Sequence, residues 1–310
     1  MSEPHAGGIA VAESAALTAR ITVMSVSVAL VLTFAKAAGW WAGGSVALLS
    51  SLADSALDVA AAVATFVAVR VAVTPPDADH RFGHGKAEGF SSMLQAALVF
   101  GSAALIGREA VVHLLKPEPV RAEGWAIAIM VLSLVLTAAL VYMQGRVLKQ
   151  TASVAVSGDR AHYVSDFASN IAALIGIGLT MATGEPRWDA LAGLFVTLWL
   201  VWGAIKVLRD ATDHLMDHEL GESERKAIIG AVMADPSIKD VHELRTRASG
   251  PTIHIQMHID LDPDLSLDQA HRIVVAAERR VLEAFPAADL IIHPDPEGRA
   301  EAHGQFGERP

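Results

Sequence analysis

Two pairs of ionisable residues, Asp54/Asp58 and His162/Asp166, lie inside long apolar stretches at the same spacing. A carboxylate within a bilayer is costly, so it faces a cavity and a partner there. Residues four apart share one face of a helix. Each pair therefore offers two ligands from one face, and two such faces together make four. Two carboxylates at that spacing repel when both are ionised, unless a cation lies between them. Three carboxylates and one imidazole form a tetrahedral shell suited to Zn²⁺ or a similar divalent ion, and such an ion held between membrane helices argues for a transporter site. The plainer alternative for each Asp is a polar contact inside a helix bundle, satisfied by Ser or backbone.

Two further clusters have ligand chemistry. Asp77, His80 and His84 are spaced so that a short loop and a helix start gather them around one ion. An isolated D-x-x-H-x-x-x-H reads more simply as a solvated loop, or as a weak, transient site. In the last third of the chain, His242, His258, His271 and His293 with Asp295 suggest a second metal site. There His254, Gln256 and His258 share one strand face, while Ile253, Ile255, Met257 and Ile259 take the other as a core face. His254, His214, His218 and His303 read as surface residues. Lys36 is expected to snorkel to an interface, and Arg160 to pair with Asp159 or a neighbour.

The elements that must position these residues follow from composition. The chain has 310 residues, 52% hydrophobic and 19% charged, with a mean hydropathy of +0.39. That is too apolar for an ordinary soluble domain and too charged for a wholly membrane-embedded chain. Residues 1–209 hold 14 Lys+Arg against 14 Asp+Glu, and residues 210–310 hold 10 against 20, so the net charge of −10 resides in the tail. An acidic tail argues against nucleic acid as a partner. With no cysteine, disulfides and thiolate metal sites are excluded, leaving His and carboxylates as ligands. Residues 1–17 carry no Lys or Arg and do not read as a cleaved signal peptide.

Six segments, near 17–39, 46–73, 88–114, 123–147, 152–182 and 188–208, approach or exceed the roughly 20 residues a bilayer requires. The breaks carry turn chemistry at Gly43-Gly44, Pro75-Pro76, Lys116-Pro117-Glu118-Pro119 and Gly184-Glu185-Pro186. The excess of Lys and Arg on one side puts both termini in the cytoplasm. The expected organisation is an N-terminal tail (1–16), a six-span α-helical transport domain (17–209), a small cytoplasmic αββαβ domain (210–296) and a disordered tail (297–310). In the αββαβ unit, helix 222–234, strands 239–247 and 252–261, helix 266–285 capped by Ser266, and strand 288–293 make a three-stranded sheet with both helices on one face.

Taken together, D-S-x-x-D in the second span, H-Y-x-S-D in the fifth, H-x-F-G-H-G-K-x-E after the second, and the His-rich tail resemble the cation diffusion facilitator family, and within it the bacterial zinc/ferrous-iron efflux pumps. The resemblance runs from about residue 17 to 296. It implies a transport site at Asp54, Asp58, His162 and Asp166, a loop site at Asp77, His80 and His84, and a binuclear tail site at His242, His258, His271, His293 and Asp295, with Asp295 bridging. It also implies a homodimer in the inner (plasma) membrane that exchanges metal for protons, with Lys86 and Asp217 in a salt-bridge interlock. The chain departs from the family at His293-Pro294-Asp295-Pro296, where Gln is usual in the position of Pro294. Proline removes a donor and a polar side chain, which weakens the surroundings of that site.

The expected function is proton-coupled export of a divalent transition metal, Zn²⁺ or Cd²⁺ with Fe²⁺ possible, in contact with membrane lipid. An intramembrane metalloenzyme is the rival, but H-E-x-x-H is absent and four ligands leave no catalytic water. A non-transporting metal sensor is the other rival, and it leaves the intramembrane acids unexplained.

Overall fold

The computed structural model describes residues 9–43, 46–116, 124–185 and 187–299. Gly44, Pro117 to Pro119, Pro186, residues 1–8 of the expected N-terminal tail and residues 300–310 lie outside the described residues. Six long helices come first: α1 (Val11–Gly43), α2 (Val46–Ala72), α3 (Ala87–Leu115), α4 (Gly124–Thr151), α5 (Val154–Thr183) and α6 (Arg187–Leu215). Each contains a stretch long and apolar enough to cross a membrane. Val67, Leu105, Val135 and Phe195 are exposed on the bundle's flanks, as a hydrocarbon solvent allows. α1 starts at Val11, ahead of the expected residue 17, and α6 continues past 208 to Leu215. Backbone hydrogen bonding does not stop where hydropathy does, and the last turns of α6 reach the tail domain.

α5 is the hub of the bundle, packed against α2, α3, α4 and α6. Its close approach to α3 needs Gly158, where a Cβ would lie 2.8 Å from Ser92 Oγ. The first turn of α5 is joined to α3 by a buried carboxylate. Ser153 caps α5 by accepting from the Val156 N–H at 3.3 Å, and its hydroxyl donates to Glu88 Oε2 at 2.6 Å. The Ala155 N–H also donates to Glu88 Oε2, at 3.3 Å, so an acid sits where the helix dipole favours one.

Asp159, one turn further along α5, is 1% exposed. Its carboxylate accepts from Ser25 Oγ at 2.6 Å, Gln144 Nε2 at 2.8 Å and Gln95 Nε2 at 3.3 Å, tying α1, α4 and α3 to α5. The expected partnership with Arg160 is corrected: Arg160 Nε donates instead to the Val141 carbonyl at 3.3 Å. Adjacent residues on a helix point about 100° apart, so Asp159 enters the bundle while Arg160 leans along α4. Asp159→Ala would strand these buried donors. It is expected to cost about 1–3 kcal/mol and lower the thermal transition of the purified protein in detergent.

The tail comprises α7 (Glu222–Val232), β1 (Asp240–Ser249), β2 (Thr252–Leu261), α8 (Leu267–Ala284) and β3 (Ala288–Pro296). The sheet order is β1-β2-β3, with β1 antiparallel and β3 parallel to the central β2. The alternation in β2 packs as expected, with Ile253, Ile255, Met257 and Ile259 buried against Ile228 of α7 and Val281 of α8. Ser266 accepts from the Gln269 N–H and caps α8. The β1–β2 turn uses Gly250 at φ +58, a conformation open to glycine. β3 runs to Pro296 rather than stopping at 293. As an edge strand it tolerates Pro294 and Pro296.

The loop between α2 and α3 docks on this domain. Lys86 Nζ lies 3.0 Å from Asp217 Oδ2, and Arg247 Nη1 lies 3.2 Å from the same oxygen. Partial burial pushes the Asp217 carboxyl up, but the Lys86 hydrogen bond and the Arg247 charge outweigh it and hold the group below the usual carboxylate range. A depressed folded-state value means that this contact stabilises at neutral pH and is lost as pH falls through that value. Arg247 also stacks over Phe82, 4.8 Å from the ring centre. Two residues expected at the surface are buried in this contact. His214 accepts from the Gly250 N–H at 3.4 Å, and His254 lies 3.0 Å from Asp289 and meets the edge of Phe82. Gly85 packs so tightly that a Cβ would lie 2.1 Å from the Ser249 carbonyl oxygen. Gly85→Ala is therefore expected to destabilise the loop–tail contact by about 1–3 kcal/mol, seen as faster limited proteolysis of the loop.

Candidate metal centres

Asp58 on α2 meets His162 and Asp166 on α5 where those helices touch. His162 Nε2 lies 3.0 Å from Asp58 Oδ1 and 3.7 Å from Asp166 Oδ2. The i,i+4 spacing puts His162 and Asp166 on one helix face, and helix packing brings Asp58 across to them. The ligand atoms of these three residues lie within 4.8 Å of one another, a spread that one divalent ion can span. They line a cavity of about 380 Å³ together with Asp54, Lys36 and Asn170. Asp54 sits one turn along α2 at the cavity wall, outside the tight three-residue group. Tyr163 packs its edge against the His162 ring and donates its hydroxyl to the Ser25 carbonyl at 2.9 Å, which steadies the imidazole from the α1 side.

The expectation for Lys36 is corrected. Its ammonium turns inward to donate to Ser55 Oγ at 2.6 Å, on the wall of the same cavity. Several acids in one low-dielectric cavity draw a cation inward more strongly than the interface draws it out.

In the α2–α3 loop, His80 Nδ1 lies 3.3 Å from Asp77 Oδ1 and His84 Nε2 lies 3.4 Å from Asp77 Oδ2. The two imidazoles are 4.5 Å apart at their centres. The His80 backbone N–H, donating at 2.7 Å, holds the Asp77 carboxyl below its ordinary value.

The tail cluster is built by strand register. His242, His258 and His293 pair across β1, β2 and β3 in one row, and Asp260 pairs with Asp295 in the next. Asp295 Oδ2 lies 2.9 Å from His258 Nδ1 and 3.5 Å from His242 Nε2, while its Oδ1 lies 3.4 Å from His293 Nε2. The ligand atoms of His242, His258 and Asp295 lie within 4.8 Å of one another. Imidazoles gathered around a carboxylate fit a zinc-type ion. His271 is exposed on α8 and lies outside this group within one chain.

Two acids in this cluster escaped the sequence reading. Asp260 Oδ1 lies 3.1 Å from His242 Nε2, and it was findable as the residue two beyond His258 on the same strand face. Glu243 Oε2 is buried with no hydrogen bond among the described residues, 3.8 Å from His258 Nε2. A bulge between His242 and Arg245, with Glu243 at φ +49, turns it there, and nothing in the sequence signals that bulge.

A family model described as the cation efflux transmembrane domain matches residues 22–216, and a second, described as the cation efflux protein cytoplasmic domain, matches residues 220–297. The chain belongs to the cation efflux family. It is a cation efflux transporter of six membrane-spanning helices and a small cytoplasmic domain, and its family is not an enzyme family. The cation-efflux pump FieF of Klebsiella pneumoniae is 39% identical to this cation efflux protein over 294 residues, which is 94% of this chain and 98% of that one. The pump of the same name from Cronobacter sakazakii is 39% identical over 280 residues, 90% of this chain and 93% of that one. The metal-bound C-terminal domain of the CzcD transporter from Thermotoga maritima is 24% identical over 26% of this chain and 100% of that one, with a TM-score of 0.25.

Proposed function

We propose that this cation efflux protein is a proton-coupled antiporter that carries Zn²⁺, with Cd²⁺ and Fe²⁺ as further cargoes, out of the cytoplasm. Its transport ligands are Asp54, Asp58, His162 and Asp166. The observation that carries this reading is the contact of Asp58 with His162, itself flanked by Asp166, in a cavity between apolar helices. Ligands bind metal only when deprotonated, so cargo and protons compete for the same atoms. Cytoplasmic metal displaces protons from His162 and the aspartates. Repacking of α2 and α5 then exposes the site to the other side, where protons drive the ion off and reset the ligands. The imidazole argues against Mg²⁺ or Ca²⁺ as cargo.

Asp77, His80 and His84 form a transient loop site. His242, His258, His293 and Asp295 hold resident metal in the tail, with His271 contributed on assembly. When bound, that metal cross-links strands of the sheet and stabilises the folded domain. Residues 17–209 form the transport domain and 210–296 the dimerisation domain of a homodimer in the inner membrane, with both termini in the cytoplasm. The match to a dimer-type cytoplasmic domain and the Lys and Arg bias of the loops support this arrangement. The test is uptake of radioactive zinc into proteoliposomes under an imposed pH gradient. Uptake that rises with the gradient is the expected result. Uptake indifferent to the gradient would sink antiport, and peptide cleavage without uptake would revive an enzyme.

A further inference from the structure

We propose that a groove between α4 and α5, at the end of the bundle nearest the tail domain, binds an anionic phospholipid. The groove has a volume of about 560 Å³. Three bases line it, Arg146 and Lys149 from α4 and Arg160 from α5, and no carboxylate does. None of the three forms an ion pair among the described residues. Arg160 is half-buried, and its Nε bond to the Val141 carbonyl lays the guanidinium along α4. Gly145 lies directly beneath it, where a Cβ would be in van der Waals contact with Arg160 Nε at 3.6 Å. The other Arg160 donors have no partner among the described residues, which leaves them for a ligand.

The groove's depth and the remainder of its wall choose the ligand. The bases occupy the last turns of α4 and the first turns of α5. The start of α5 is bonded to Glu88, two residues from Lys86, whose ammonium reaches Asp217 beside the tail domain. The cations therefore stand at the membrane surface on the tail side. Tyr142 is exposed at the same level, as an amphipathic ring at a headgroup is. Val141 and Leu148 beside the bases, and Ala138 and Phe167 further in, make the rest of the wall apolar. A phosphate at the bases with an acyl chain against this wall matches both ends, and basic pockets between membrane helices bind anionic headgroups in this way. A zwitterionic headgroup brings its own ammonium to three uncompensated cations and fits worse.

The experiment is native mass spectrometry of the full-length protein released from micelles holding equal phosphatidylglycerol and phosphatidylcholine. Wild type is expected to retain phosphatidylglycerol in preference. At about fivefold per base, R146Q/K149Q/R160Q should lose that preference by on the order of 100-fold. Arg146 and Lys149 are exposed, so R146Q/K149Q, which keeps the Arg160 bond to the Val141 carbonyl, leaves the packing of the bundle intact and should lose the preference by about 25-fold. Gly145→Leu keeps every base but fills the groove, and should lose the lipid as well. R70Q/R209Q, which removes bases elsewhere, should keep it. Unchanged retention in the groove variants overturns the proposal, as does equal loss in R70Q/R209Q. Displacement of the lipid by millimolar glycerol phosphate also overturns it, because the site would then serve a soluble phosphate.

Discussion

Asp58→Ala is expected to abolish zinc flux into proteoliposomes, a fall on the order of 100-fold or more. The bound lies above the 10- to 100-fold that loss of even an outer partner costs a metal site. Asp58 is the α2 member of the tight group, so its loss leaves His162 and Asp166 of α5 with only the more distant Asp54 to reach from across the helix contact. Cargo would then be held mainly by α5, and movement of α2 against α5 could no longer close tightly around it. The measurement is initial uptake at a fixed pH gradient, on protein shown to keep zinc in its tail. Equal flux in variant and wild type would remove the membrane cluster from the transport path. Asp54→Ala provides a graded comparison. Asp54 lines the same cavity outside the tight group, so its loss should lower flux less than that of Asp58.

The second large effect is expected in the tail. One carboxylate, that of Asp295, touches His242, His258 and His293. Asp295→Ala should weaken zinc binding there by about 100-fold or more, because it removes a charged ligand and the group that orients three imidazoles. Equilibrium dialysis of the full-length protein in an Asp58→Ala background isolates the tail from the transport site. His254→Ala is the control, since His254 is engaged with Asp289 and Phe82 outside the cluster. Tail affinity unchanged by Asp295→Ala would mean that this cluster is a hydrogen-bonded pocket and not a metal centre.

Much of the architecture was legible from local pattern. Apolar length alone picks out six spans, and a period of two in Ile253 to Ile259 separates a core face from a histidine face. The misreadings share one cause. Lys36, His214, His254 and Arg160 were each judged by residue type and depth, whereas each has a partner far along the chain. Glu88 and Asp159 went unassigned for the same reason, since their hydroxyl and amide partners come from other helices.

The sequence by itself determined that Asp54/Asp58 and His162/Asp166 each share a helix face, because a period of 3.6 residues is a property of any helix wherever it packs. It likewise determined that His254 and His258 face away from the tail's core. Only the tertiary structure decided that α2 lies against α5, that Asp58 rather than Asp54 closes on His162, and that His242, His258 and Asp295 converge. These depend on which surfaces pack. The glycine contact of Gly158 with Ser92, the Asp159 hydrogen bonds, the Glu243 bulge and the parallel register of β3 join residues far apart in the chain, and no local period encodes them.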